Sequence, residues 1–376
     1  MTAVLTQLDA DLAAGRLTGP ADLNDRVMEA IAVGLPLSVA RHPHRVGPLA
    51  TAAIARVLPG SVNLLVDGAR HNATEHLAEA TTERKGFEER LFTRWGRAIE
   101  GLELFRLWCL DAGMRFHERH LPADVDWVHS MIVRLHARAC LIAAEVLALL
   151  RAGLASGAHA RWRSGHELVV TAYFIAEHGQ DVAERYALHE AIESSRAAVG
   201  YQRHATALGY EPFTPEQMQA LAQARTDLVE RFGNGYAQPY GWAADALGNP
   251  NPKFSDIEAA VSFEHMRPYY RMASYPTHAG PKGLVFSLGL RDQDVMLAGP
   301  SNAGLADPGQ SMAISLHQIT VRLLSTESNM GDLAVMMFLE SALQAVNDDF
   351  IRAERKLDDD ERDVREQLGS VDTEDL

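Results

Sequence analysis

Apolar residues recur every three to four positions over most of the 376-residue chain, the spacing that gives a helix one buried face. Short helical stretches are expected at Val4–Ala14, Ala21–Val33 and Gly47–Leu58, separated by Gly-Pro and Pro-Gly punctuation. Longer ones follow at Phe87–His120, Val125–Ala152, His159–Gly179 and Asp181–Leu208, with short connections that favour antiparallel neighbours. Pro215–Phe232 reads as a helix with Thr214 as its cap and proline at its first position. Two more are expected at Met312–Thr326 and Leu333–Leu357. Period-two alternation is confined to Leu284–Leu297, a single short hairpin turning near Arg291–Asp294. The expectation is an all-α, mainly α protein: a multi-helix bundle with a small N-terminal helical unit and at most that one β-hairpin.

Breaks in this pattern suggest an N-terminal helical unit over 1–84, a helical core over 85–357 and an acidic tail over 358–376, poor in apolar groups and expected to fray or stay disordered. Gly233–Ser255 combines glycine, proline and asparagine with Tyr236, Tyr240 and Trp242. It suits either a loop over a pocket or a long crossover packed by its aromatics.

Composition narrows the function classes. With 47% hydrophobic and 23% charged residues the chain can bury a large core. Its formal net charge of −15 opposes broad attraction to nucleic acid, so any RNA partner must bind a local basic pocket. Cys109 and Cys140 sit in apolar helical patterns without metal-like or redox-like spacing and read as core residues of a reducing compartment. Met1–Gly15 lacks the basic start and apolar stretch of a signal peptide, and Ala139–Leu150 is too short to span a bilayer. A cytoplasmic protein that does not enter the membrane is expected. The sixteen histidines form no zinc-helix or di-iron spacing, and no phosphate-cradling or dinucleotide loop occurs, so neither metal nor cofactor is expected.

The segment from Tyr270 to Gly280 carries the strongest candidate chemistry: Arg271, Ser274 and His278, interrupted by Pro276. An imidazole can move a proton near neutral pH, and a guanidinium fork can hold a phosphate and stabilise the charge that builds up as a bond breaks. Seven positions would put Arg271 and His278 on one face of an unbroken helix, but proline favours a bend or a helix end there. Supporting candidates are Arg163 and Glu167, one turn apart on a helix apolar on most sides; Glu145, in the middle of an apolar run; and Arg185 with His189, one turn apart in a densely charged stretch. Each set also suits a structural role, as a packing ion pair, a helix end or a solvated face.

Several segments together resemble a bacterial family known only as a domain of unknown function. They are Leu135–Arg138 through Glu145–Gly153, Ala160–Glu167, Ala183–Tyr186, Tyr270–Ser274 and the Gly299–Leu305 loop. The resemblance spans roughly Phe87 to Leu357 and implies a helical fold without an assigned reaction. At the motif level, arginine, six intervening residues and histidine, here Arg271 to His278, resemble the short motif of HEPN-domain ribonucleases. That resemblance implies a helical, usually dimeric endoribonuclease of toxin or phage-defence type, with its site often completed across a homodimer. His278 would act as general acid or base, Arg271 would hold the scissile phosphate, and Ser274 would orient. The alternative is a noncatalytic helical binding or scaffold module whose polar residues lock its core.

Overall fold

A computed structural model describes residues 46–120, 126–291 and 296–371. The helices expected at Val4–Ala14 and Ala21–Val33 lie outside these residues. The chain divides into two compact units between Phe87 and Glu88. Eleven helices of more than one turn are present among the described residues, and no strand.

Helix α1 (Val46–Arg119) crosses Pro59-Gly60 without a break, where an end was expected. A proline inside a helix removes one backbone bond and disfavours the conformation without forbidding it. Within the second unit, Leu91, Trp95, Ile99, Leu102, Phe105, Cys109 and Phe116 of α1 are fully buried or nearly so at three-to-four spacing.

α2 (Trp127–Arg151) starts where the side chain of Asp126 accepts from the His129 amide at 2.9 Å, a cap that satisfies one orphan donor. Its buried stripe runs through Ile132, Leu135, Ala139, Ile142, Val146 and Leu150. α2 lies against α3 (Ala155–His178), and both pack on α10 (Ala306–Leu324), which in turn meets α11 (Met330–Val371). These helices, with the second half of α1, form the core. Trp95 donates to the Asn302 side chain at 2.8 Å, Trp162 donates to Ser315 at 2.9 Å, and both indoles are fully buried. Each large aromatic thus keeps its one polar atom satisfied.

The helix expected over Asp181–Leu208 is divided into α4 (Gln180–Leu188) and α5 (Glu190–His204) at His189. The cause lies outside the segment. The His189 ring is buried and reaches the carbonyls of Tyr236 and Gln238 at 3.1 and 2.9 Å, which fixes the chain at that point. α6 (Pro215–Phe232) matches its expected bounds, with a full capping box between Thr214 and Gln217. The stretch after it makes two short 3₁₀ turns and packs by its aromatics. Tyr236 is buried, and Trp242 meets Phe174 and Tyr186 edge to face.

α7 (Phe254–Ala260), α8 (Arg267–Ser274) and α9 (Pro281–Val285) are short. The hairpin expected over Leu284–Leu297 is absent from the described residues. Leu284 and Val285 belong to α9 and are strongly exposed, and the described part of the stretch has no neighbouring strand to pair with. Its expected turn lies mostly in residues 292–295, outside the description. At the other end, α11 carries the acidic residues from Asp358 on to Val371 in helical form. Arg291 pairs with Glu354, Asp358 and Glu361 there, and Arg94 reaches Asp360, so basic side chains hold the acidic face to the protein.

Candidate functional site

α2 and α3, the start of α5 and the loop after α6 surround an open cleft of about 750 Å³. That volume suits a small molecule. From α2, Met131, Arg134, Arg138 and Ile142 form one wall, a stripe dictated by three-to-four spacing. From α3 come Arg161, Ser164 and Glu167; Tyr186, His189, Glu190, Glu193 and Tyr240 complete the lining.

The charges of the cleft differ sharply in how they are used. Arg161 is paired with Glu145 and donates to the Ser164 hydroxyl at 3.1 Å. Glu167 accepts from the Tyr270 hydroxyl at 2.5 Å and pairs with Arg163 at 3.2 Å, while Arg163 donates to the same phenol oxygen at 2.8 Å and lies over its ring. This three-way contact ties α8 to α3. Burial, and next the bond to Glu167, push the Tyr270 phenol above its usual range, so it stays a neutral donor. Burial opposes the charge of Arg163, but Tyr270 and Glu167 outweigh it and hold the guanidinium above its ordinary value. Arg134 and Arg138, in contrast, are exposed and have no hydrogen-bond or ion-pair partner among the described residues.

His189 has little chemistry left to offer. Its Nε2 faces two carbonyl oxygens and must therefore carry the proton, and burial lowers its pKa. Arg185 does not line the cleft. It bonds Asp181 at 2.8 Å, approaches Asp245 at 3.5 Å and covers the Phe232 ring, while its own carbonyl accepts from the Tyr236 hydroxyl.

Arg271, Ser274 and His278 lie apart from the cleft lining. α8 ends at Ser274, Tyr275–Thr277 forms a single 3₁₀ turn around Pro276, and His278 is extended. The Ser274 hydroxyl donates to the Tyr270 carbonyl at 2.8 Å, inside its own helix. Arg271 and His278 are exposed, and neither side chain has a partner among the described residues.

One cluster escaped the sequence reading. Glu258 of α7 is completely buried, accepts from or shares a proton with His166 Nε2 at 2.9 Å, and forms an ion pair with Arg267. Phe254, Phe263, Tyr270 and Trp162 surround the imidazole. His166-Glu167 was visible as a neighbouring pair, but the partner of His166 lies 92 residues away, beyond any local signal. Arg134 was likewise unmarked, since an exposed residue on a helix shows no pattern until the cleft forms, whereas Tyr240 and Trp242 line the cleft from the aromatic stretch whose sequence suited a loop over a pocket.

Among the described residues no helix is long and apolar enough to cross a membrane, and no group of three or more His, Cys, Asp or Glu is arranged to hold a metal ion. Fold and cleft together define an all-helical protein with a mixed-charge pocket in its bundle. Residues 129–295 match the model of a family of unknown function, DUF5677. That segment contains every residue of the cleft and of the His166–Glu258–Arg267 cluster, and it is shorter than the Phe87–Leu357 resemblance read from the sequence. No curated protein and no solved structure matches the chain.

Proposed function

We propose that the protein is a helical binding module that takes a small anionic ligand in the cleft between α2 and α3. The observation that carries this reading is the pair Arg134 and Arg138, one turn apart on the cleft wall and without a partner among the described residues. Two guanidinium forks so placed can grip one phosphate or carboxylate through charge-assisted bonds. Arg161 and Arg163 are already engaged by Glu145 and Glu167, so the available positive charge is concentrated at that one turn. The test is calorimetric titration with inorganic phosphate and pyrophosphate. The parent protein gives saturable binding, and Arg134→Ala/Arg138→Ala, folded by circular dichroism, loses at least tenfold in affinity. Equal binding by both proteins, or none by the parent, overturns the reading.

A second reading has its own support. Arg271 and His278 are exposed and uncommitted, as a metal-independent endoribonuclease of toxin or phage-defence type would need. In that reading RNA is the partner, and the site is completed in a homodimer. Leu104, Leu107 and Trp108 of α1 and Met337 and Phe338 of α11 are exposed large apolar residues that such a dimer would cover. The two unpaired, buried thiols suit a cytoplasmic location. Cleavage of a mixed RNA pool in EDTA, lost in both Arg271→Ala and His278→Ala, supports it; an intact pool with the parent protein ends it.

A further inference from the structure

The cleft is not simply basic. Besides Arg134 and Arg138 on α2 it presents Glu167 from α3 and Glu190 and Glu193 from α5, and neither arginine forms an ion pair with any of the three. Opposite charges lining one cavity ordinarily close on each other when they can reach. Here the cavity keeps them apart, at more than the 4.0 Å that an ion pair allows.

The carboxylates are placed differently in depth. Glu167 is only about a third exposed and has one oxygen, Oε1, held by Tyr270 and Arg163, which fixes the direction of the other. Glu193 is largely exposed, with His189 Nδ1 4.0 Å from its carboxylate. Glu190 accepts from the Ser194 hydroxyl. The rings of Tyr186, Tyr240 and Trp242 line the same space, and aromatic faces attract ammonium groups.

We propose that the ligand is a small zwitterion. Its acidic group is held by Arg134 and Arg138, and its primary ammonium sits among Glu167, Glu190 and Glu193 beside the tyrosine rings. This rests on the anion-binding reading of the same cleft and goes beyond it by naming a second recognised group. A simple anion leaves Glu190 and Glu193 without a cationic partner and meets their repulsion. A simple cation leaves the arginines unanswered. Phosphoamines and aminocarboxylates share the chemistry that answers both.

The experiment is calorimetric titration of the full chain with phosphoethanolamine, γ-aminobutyrate, inorganic phosphate and ethanolamine. One of the two zwitterions binds at least tenfold more tightly than either single-charge probe, and which one responds tells phosphate from carboxylate as the acidic group. In Glu190→Gln/Glu193→Gln the zwitterion falls to the affinity of the anion alone, while the anion keeps or gains affinity. Arg134→Ala/Arg138→Ala loses both. If phosphate binds as tightly as both zwitterions, or if the glutamine variant leaves the zwitterion unchanged, the proposal is overturned while the anion-binding reading stands. If no probe binds, both fall.

Discussion

Glu258 carries a large energetic stake, because it is completely buried between His166 and Arg267. A carboxylate with no exposure is stable only while its partners neutralise it, and removing one member of a buried pair costs about 3–5 kcal/mol. Arg267→Ala, which leaves that charge buried beside His166 alone, should therefore destabilise the fold by about 3–5 kcal/mol in urea unfolding. The double replacement Arg267→Ala/Glu258→Gln should recover part of the loss. A second residue-scale effect concerns acid. Burial pushes His136 and His159 down to about 4, against 6.5 for the unfolded chain. Between these values the unfolded state binds more protons than the folded one, so stability rises with pH there and is lost as pH falls from about 6.5 towards 4. Each histidine contributes a slope of roughly 1.4 kcal/mol per pH unit in that window. Denaturation midpoints measured at pH 4.5, 5.5 and 6.5 should show it, and His159→Phe should flatten it.

Between elements, α10 and α11 approach each other closely at Gly309. A Cβ on Gly309 would lie 2.3 Å from the Phe350 ring, and Phe350 is itself fully buried against Trp95. Gly309→Ala should then destabilise by about 1–3 kcal/mol through overpacking, more than a helix gains from alanine propensity. Phe350→Leu in the same chain should restore part of it, which a thermal melt of the three proteins can check. On the α6 surface, Thr214→Ala removes the capping box and should cost about 1 kcal/mol.

The scale of elements also shows where local pattern succeeds. Thr214-Pro215 and the stripe of α2 were legible because cap and face are both encoded within a few residues. The division at His189 was not, because the groups that fix it, the carbonyls of Tyr236 and Gln238, lie 47 and 49 residues further on. The hairpin expected after α9 failed for a related reason. Alternation along one segment needs a partner strand, and the fold supplies none among the described residues.

For the whole molecule, charge sets the terms of recognition. A net charge of −15 repels polyanions at long range, while Arg134 and Arg138 are the cations of the cleft without a partner among the described residues. If single-stranded RNA enters the cleft, log affinity should therefore fall with log salt at a slope of no more than about 1.4, the value for two neutralised phosphates. A fluorescence-anisotropy titration from 50 to 200 mM salt measures it, and a much steeper slope would reveal a basic surface other than this cleft.

Helical class, the Thr214 cap, the buried stripes and the candidate status of Glu145, Arg163 and Glu167 were all determined by the sequence, because each depends on residues within about two turns of one another. Folding decided what those residues do. It spent Glu145 on Arg161 and Glu167 on Arg163 and Tyr270, and it buried Glu258 against His166 and Arg267. It left Arg134 and Arg138 free on a cleft wall that does not include Arg271 or His278. A charged side chain is a site or a strut according to what stands within 4 Å of it, and that neighbour usually comes from another helix.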